Sequence, residues 1–157
     1  MEHQIITTKS KDLKKMGACI SAEKSLFDRY QIGEIKVSNR IVMAAMTRLR
    51  ADPNTGIPND LHVQYYSKRA KAGLIITECS AISKVGNSFP GCGAIYTKEQ
   101  ADGWKKVVQA VHAKKGKIVL QLFHAGRAAD PNAIGEQALA PSPIPIKSYD
   151  DDGNEKN

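Results

Sequence analysis

Three short apolar runs, separated by segments with helical signals, constrain the fold of this sequence most. The runs are RIVMAAM at 40–46, LIIT at 74–77 and KIVLQLFH at 117–124. Nearly continuous apolar runs of this length are typical of strands covered on both faces, as in parallel sheets. Strands that alternate with helices predict an α/β fold with right-handed crossovers. Two architectures fit this order: an open doubly wound sheet, and the opening part of a (β/α)8 barrel, which typically needs ~250 residues.

The two segments between these runs carry start and stop signals of helices. The Asn-Asp pair at 59–60 can cap a helix that runs to about residue 72, and Gly73 stands where a left-handed C-terminal glycine belongs. Thr97 and Gln100 form a capping box ahead of the second helix. That helix carries an amphipathic stripe of Trp104, Val107, Val108 and Val111.

The remaining segments predict the organisation around this alternating body. Residues 30–37 predict a short β-hairpin, because apolar residues alternate on either side of a Gly-Glu turn. Residues 81–96 contain several Gly and Pro and predict a loop. We expect a polar extension without stable structure over 1–24, one folded body over 25–146, and an acidic tail or loop over 147–157.

A net charge of +7 at pH 7 raises the question of an anionic partner. The basic residues are spread along the chain with acids between them, and no RNA-binding aromatic signature or zinc finger is present. Five lysines gather around the second predicted helix, which is typical of a solvated helix face. These are Lys105, Lys106, Lys114, Lys115 and Lys117. We therefore expect no nucleic-acid partner.

Compartment and metal chemistry follow from further absences in the sequence. No apolar run approaches the ~18 residues of a membrane span, and the N-terminus has no signal-peptide core, so we expect a cytoplasmic protein without a membrane anchor. The MGACIS pattern fits N-myristoylation only if translation starts at Met16. Cys19, Cys79 and Cys92 have no CxxC spacing, and the histidines are far apart, so neither a disulfide framework nor a metal site is predicted.

The carboxyl ends of the three predicted strands are where a ligand would collect in either architecture. They are AMTR at 45–48, ECS at 78–80 and QLFH at 121–124. A Thr hydroxyl, a Gln amide and backbone amides are neutral groups that match the edge of a flavin pyrimidine or a nucleobase. The chain has no GxGxxG after a strand, no Walker A sequence and no GxSxG elbow, so the usual phosphate cradles and the serine-hydrolase nucleophile are absent.

Several motifs, in order and with family-like spacing, resemble the Old Yellow Enzyme family. They are NRIVMAAMTR (39–48), GIPN (56–59), YYSKRA (65–70), GLIITE (73–78), PGCGAIYTKEQ (90–100), WKKVVQAVH (104–112), QLFHAGR (121–127) and APSPI (140–144). The resemblance covers about Leu26 to Ile146. It implies a (β/α)8 barrel that binds FMN without a covalent bond. It also implies that hydride passes from NADPH or NADH through the flavin to the β-carbon of an activated alkene, such as an enone.

The resemblance also implies roles for individual residues. Ala45 and Met46 should touch the isoalloxazine ring through backbone and packing, and Thr47 should hydrogen-bond near the flavin C4 carbonyl. Gln121 should pair with the pyrimidine edge. The two remaining implied positions are Cys79, where the second strand passes the flavin, and Phe123, on the substrate side.

Departures from the family pattern limit what the resemblance implies. The family usually has proline at Ala45, glycine or alanine at Cys79, and tryptophan at Phe123. Its His-x-x-His or His-x-x-Asn substrate anchor does not occur in this sequence, and the tyrosine proton donor that follows the anchor is missing too, so we expect no catalytic residue within the chain.

The sequence therefore predicts the first three βα modules of a (β/α)8 barrel, preceded by a short hairpin, in a chain that is inactive alone. Two alternatives stay open. The chain could be a non-catalytic product that associates with a full-length relative, or a small module that binds a flavin or nucleotide.

Overall fold

The computed structural model of the chain describes residues 25–144, 146–149 and 155–156. The extension predicted over 1–24, with the lipidation pattern at Met16, lies outside these residues. So does most of the predicted acidic tail. Within the described part of the chain, no helix is long and apolar enough to cross a membrane.

Strands and helices alternate through the central part of the chain. The strands are β1 (Tyr30–Ile32), β2 (Ile35–Val37), β3 (Val42–Met43), β4 (Leu74–Ala81), β5 (Gly93–Ala94), β6 (Ile118–Phe123), β7 (Ser148–Tyr149) and β8 (Glu155–Lys156). The helices are α1 (Asp60–Ser67), α2 (Lys98–Ala113) and the single turn α3 (Pro131–Ile134). The predicted hairpin is confirmed: β1 and β2 pair antiparallel, with Tyr30 opposite Val37. The short β7 and β8 form a second antiparallel pair.

A parallel sheet built around β4 forms the centre of the fold. One edge of β4 pairs with β6, from Ile75 opposite Ile118 to Ala81 opposite Phe123. The other edge pairs first with β3, beginning at Val42 opposite Leu74, and then with β5 near the carboxyl end. All of these pairings are parallel, as the alternation of strands and helices predicts.

The hydrophobic core lies between this sheet and the two helices. Its buried members are Tyr66, Ala70, Ile75, Trp104, Val107 and Val111. The predicted capping box of α2 is present, because the Thr97 hydroxyl accepts from the Gln100 amide and the Gln100 side chain accepts from the Thr97 amide. The Trp104 indole donates to the Ala94 carbonyl at 3.1 Å, which joins α2 to β5. We call the sheet face that packs on the helices the helix face, and the opposite face the open face.

The predicted extents of one strand and one loop are wrong. The first run was expected to be a strand over 40–46, but only Val42–Met43 are in β3. Beyond Met43 the chain leaves the edge of β4, and β5 takes that edge by pairing with Ser80 and Ala81. The segment 81–96 is therefore not loop throughout, since it contains β5 and a 3-10 turn at Lys84–Gly86.

The end of the first helix is also different from its prediction. α1 ends at Ser67 rather than near residue 72, and the chain continues in tight turns, such as the Ala72 amide donating to the Arg69 carbonyl at 3.0 Å. Gly73 is not left-handed, so it is not a C-terminal cap. Its lack of a side chain serves close packing instead, because a Cβ there would collide with the Asn39 carbonyl oxygen.

Candidate functional site

Three of the predicted site residues meet at the carboxyl ends of the parallel strands. The Thr47 hydroxyl oxygen lies 3.3 Å from the Cys79 sulfur, and either atom can donate. Cys79 is in turn the register partner of Gln121 across the β4–β6 pair. Thr47, Cys79 and Gln121 therefore form one group, which we call the strand-end cluster.

The other predicted site residues lie close to this cluster along the chain. Phe123 is two residues beyond Gln121 on β6, opposite Ala81, and is half-buried. Ala45 is half-buried and Met46 is 44% exposed. Both precede Thr47 in the extended segment that follows β3.

A β-bulge in β4 sets which side chains reach each face of the sheet. Between Ile76 and Cys79 the strand advances three residues, while β6 advances two. Regular alternation would place Ile75 and Glu78 on opposite faces, but both pack on the helix face. The extra residue thus turns Glu78 toward the helices and Cys79 toward the open face.

The Thr77 side chain compensates for the ladder bond that the bulge interrupts. The Gln121 amide donates to the Thr77 hydroxyl oxygen at 3.1 Å, and the hydroxyl donates to the Glu78 carbonyl at 2.8 Å. A buried threonine therefore replaces a backbone acceptor, and the bulge leaves the Gln121 amide satisfied.

The polar groups of the strand-end cluster are neutral and accessible. Among the described residues the Gln121 carboxamide makes no hydrogen bond, so it can both donate to and accept from a ligand. The Thr47 hydroxyl is exposed as well. A carboxamide and a hydroxyl on one open face match the alternating donors and acceptors of a flavin pyrimidine edge. No cluster of three or more metal-ligating side chains occurs within the part of the chain that the structure describes.

A buried carboxylate lies directly behind this cluster, on the helix face. Glu78 is fully buried, and its Oε2 accepts from the Arg48 amide at 2.9 Å. Its Oε1 accepts from the Tyr66 hydroxyl at 3.2 Å and faces His62 Nε2 at 3.3 Å. The Tyr66 oxygen also accepts from the Glu78 amide at 2.8 Å. We call Glu78, Tyr66, His62 and the Arg48 amide the carboxylate cluster.

These contacts settle the charge of the carboxylate. Burial alone would raise the pKa of Glu78, but the contact with His62 and the hydrogen bonds from the Arg48 amide and Tyr66 hold it below its usual value. Burial is the main cause that raises the pKa of Tyr66 far above its usual value, so the phenol stays a proton donor. Glu78 is therefore an anion that anchors the backbone immediately after Thr47.

His62 lies next to the Glu78 carboxylate, with its Nε2 nearest to Oε1. Its Nδ1 lies 3.3 Å from the Asn59 amide, which donates to it within the capping box of α1. Nδ1 also lies 3.3 Å from the Asn59 side-chain oxygen, while Nε2 lies 3.3 Å from Glu78 Oε1 without making a hydrogen bond. A cavity of about 190 Å³ opens beside this pair; its lining residues are Arg48, Arg50, Leu61, His62, Tyr65 and Glu78.

Sequence reasoning found the strand-end cluster and missed the carboxylate cluster. It assigned no partner to Glu78. His62 and Tyr66 are four residues apart on a predicted helix, so they share one helix face. That spacing next to a strand ending in Glu was the signal that could have found them.

Comparison with known proteins identifies the family. The sequence model of the NADH:flavin oxidoreductase / NADH oxidase family matches residues 25–156. The chain belongs to this family, and its predicted resemblance to Old Yellow Enzymes is confirmed. A similar protein is the flavin oxidoreductase hxnT of Emericella nidulans, 42% identical over 140 residues, which are 86% of this chain and 36% of that protein.

Another relative is 12-oxophytodienoate reductase 7 of Oryza sativa subsp. japonica, 41% identical over 124 residues, which are 76% of this chain and 31% of that protein. Among solved structures, morphinone reductase in complex with tetrahydroNAD is 38% identical with a TM-score of 0.74, and covers 84% of this chain and 38% of its own. The Old Yellow Enzyme homologue from Zymomonas mobilis is 40% identical with a TM-score of 0.75, and covers 84% of this chain and 37% of its own. The chain thus spans about a third of the length of these relatives.

Proposed function

We propose that this chain supplies part of the flavin site of an FMN-dependent ene-reductase. Such an enzyme passes hydride from NADH or NADPH through FMN to an activated alkene, such as an α,β-unsaturated carbonyl compound. Family membership and the reductase names of its relatives support the proposal. The observation that carries it is the meeting of Thr47, Cys79 and Gln121 at the carboxyl ends of parallel strands.

The residues of the open face have distinct roles in this proposal. Gln121 pairs with the pyrimidine edge of the isoalloxazine, using the carboxamide that makes no hydrogen bond among the described residues. Thr47 donates near the flavin C4 carbonyl, where a donor stabilises negative charge on the reduced ring. Ala45 and Met46 support the ring through backbone and packing.

The two family departures on the open face bear on binding and selectivity. Cys79 adds a sulfur beside Thr47, where the family usually has glycine or alanine, and its bulk sets how closely the ring approaches β4. Phe123 lines the substrate side without the indole N–H of the usual tryptophan, so substrates are selected there by shape rather than by a hydrogen bond.

We further propose that residues 25–146 are the first three βα modules of a (β/α)8 barrel and that these 157 residues do not turn over alone. Among the described residues β6 pairs with β4 only. Leu122, on the helix face of β6, is 65% exposed, although a barrel covers this face with its next helix. The chain also contains no His-x-x-His or His-x-x-Asn substrate anchor.

A chimera separates the flavin site from the rest of the barrel. Residues 25–146 would replace the matching segment of morphinone reductase, and visible absorption after desalting would report bound FMN. We expect near-stoichiometric flavin and NADH-dependent reduction of an enone by the chimera, and a colourless 157-residue chain. A folded chimera that binds no FMN would contradict the proposed site. Stoichiometric FMN on the chain alone would contradict the incomplete barrel.

A matched pair of variants in the chimera tests the assigned contact. Gln121→Ala removes the carboxamide that pairs with the pyrimidine edge and should weaken FMN binding about tenfold, since a bidentate contact is worth about 1.4 kcal/mol. Gln109→Ala makes the same change at an exposed position of α2 and should leave the FMN affinity unchanged. Equal affinities for both variants would remove Gln121 from the site.

A further inference from the structure

Cys79 in β4 and Cys92, which immediately precedes β5, lie next to the paired positions of these two strands. In the β4–β5 pair, Ser80 is opposite Gly93 and Ala81 is opposite Ala94. Cys79 and Cys92 each come one residue before the first of these pairs, and one further step in the same register would place them opposite each other. Neighbouring strands are ~4.8 Å apart, and side chains at matching positions point to the same face.

The two thiols are close enough to influence each other, because Cys79 is among the groups that raise the pKa of Cys92. Burial, reinforced by Cys79, raises the pKa of Cys92 to about 11. Cys92 is only 2% exposed, whereas Cys79 is half-buried and its sulfur lies 3.3 Å from the Thr47 hydroxyl.

This arrangement is compatible with the geometry of a disulfide. A disulfide needs Cα atoms 4.4–6.8 Å apart, a range that includes the ~4.8 Å spacing of neighbouring strands. Neither cysteine is a partner in another disulfide within the described residues. The sequence pattern gave no sign of the pair, because twelve residues, including a turn, lie between the two cysteines.

We propose that Cys79 and Cys92 form a redox-active dithiol, which a small disulfide of the glutathione class oxidises to an intramolecular disulfide. Cys79 loses its proton and attacks one sulfur of the small disulfide, which breaks the S–S bond and releases one small thiol. Cys92 then loses its proton and attacks the Cys79 sulfur, which releases the second small thiol. In total two protein thiols are oxidised, one disulfide is reduced, and both protons leave on the small thiols.

The order of the two steps follows from accessibility. Only Cys79 can be reached from solvent, so it is the entry point. Cys92 is buried and stays protonated until the mixed disulfide forms next to it. The new bond draws the Cys79 sulfur toward Cys92 and alters its contact with the Thr47 hydroxyl. The dithiol does not depend on flavin binding, although oxidation would change the surface proposed to face the flavin.

Peptide mapping of the whole chain after equilibration in glutathione redox buffers tests the proposal. Trypsin cleaves after Lys71, Lys84 and Lys98, so Cys79 and Cys92 fall on separate peptides, 72–84 and 85–98. After acid quenching and alkylation, we expect one linked pair of these peptides and an alkylated Cys19. The equilibrium constant for forming this link should be at least about tenfold larger in native buffer than in urea, which corresponds to about 30 mV in reduction potential.

The comparison with urea is needed because a short unfolded segment also forms disulfides. A constant in native buffer equal to or below that in urea would overturn the proposal, since the fold would then not favour the bond. Linkage of Cys19 to either cysteine at comparable yield would overturn it too. Cys19→Ser is the matched control and should leave the constant unchanged, whereas Cys92→Ser should give only a mixed disulfide at Cys79.

Discussion

Removing one oxygen atom from Tyr66 should destabilise the chain more than any comparable change on α1. The Tyr66 hydroxyl is fully buried, donates to Glu78 Oε1 at 3.2 Å and accepts from the Glu78 amide at 2.8 Å. A hydrogen bond to a charged group contributes about 1.5–3 kcal/mol, and a buried N–H left without a partner costs about 1–3 kcal/mol. His62 still faces the carboxylate in Tyr66→Phe, so we take about 3 kcal/mol as the expected loss.

Urea unfolding followed by circular dichroism measures this loss directly. The unfolding midpoint should fall with an unchanged slope, since the change removes no apolar surface. Hydrogen exchange gives a local readout, because the Glu78 amide loses its acceptor. Its exchange in native buffer should become about 100-fold faster, as a 3 kcal/mol loss predicts.

Tyr65→Phe is the matched control on the same helix. The Tyr65 hydroxyl makes no hydrogen bond among the described residues, and its ring keeps the guanidinium groups of Arg48 and Arg69 over its faces. This variant should change the free energy of unfolding by less than about 0.5 kcal/mol. A loss below about 1 kcal/mol for Tyr66→Phe, or equal losses for both variants, would refute the role of the carboxylate cluster.

Two further outcomes follow from the described contacts. The pKa of Glu78 is lowered in the folded chain, so its contribution to stability is complete above the unfolded value of about 4.3 and is lost as the pH falls through the lower folded value. Urea midpoints between pH 7 and pH 3 should show this acid decline. Glu78→Gln should make the decline smaller, and the remainder comes from carboxyl groups such as Asp52, Glu99 and Asp102, whose pKa values are also lowered. Gly73→Ala places a Cβ against the Asn39 carbonyl and should destabilise by about 1–3 kcal/mol; an increase in the urea midpoint would contradict this, since such a change at an unhindered glycine stabilises instead.

The order of elements could be predicted because the strand and helix signals are local. The capping box of Thr97 and Gln100 predicts the start of α2. The apolar stripe that follows predicts which face of this helix packs on the sheet. The limits of β3 could not be predicted in this way. Val42 continues into an apolar run that has every local mark of a strand, but the length of the strand depends on which segment occupies the edge of β4.

The strand-end cluster was predictable because parallel strands end at one edge of a sheet, whatever lies between them. That rule, together with the resemblance of their motifs, was enough to predict that Thr47, Cys79 and Gln121 lie together. The contacts of the carboxylate cluster, which lies behind these residues, could be found only from the three-dimensional structure. The bulge after Ile76 is invisible in the sequence, since LIITECSA is compatible with regular alternation, and without the bulge Glu78 would not be assigned to the helix face.

The bulge in β4 determines two properties at once, the face on which Glu78 lies and the face on which Cys79 lies. If this stretch paired with β6 by regular alternation with all of its residues kept, every position beyond the bulge would exchange faces. A carboxylate would then point at the open face, and the thiol would be buried against Tyr66. A one-residue gap aligned between Ile76 and Cys79 therefore marks a relative that keeps the present faces by regular alternation, with a backbone acceptor in place of the Thr77 hydroxyl.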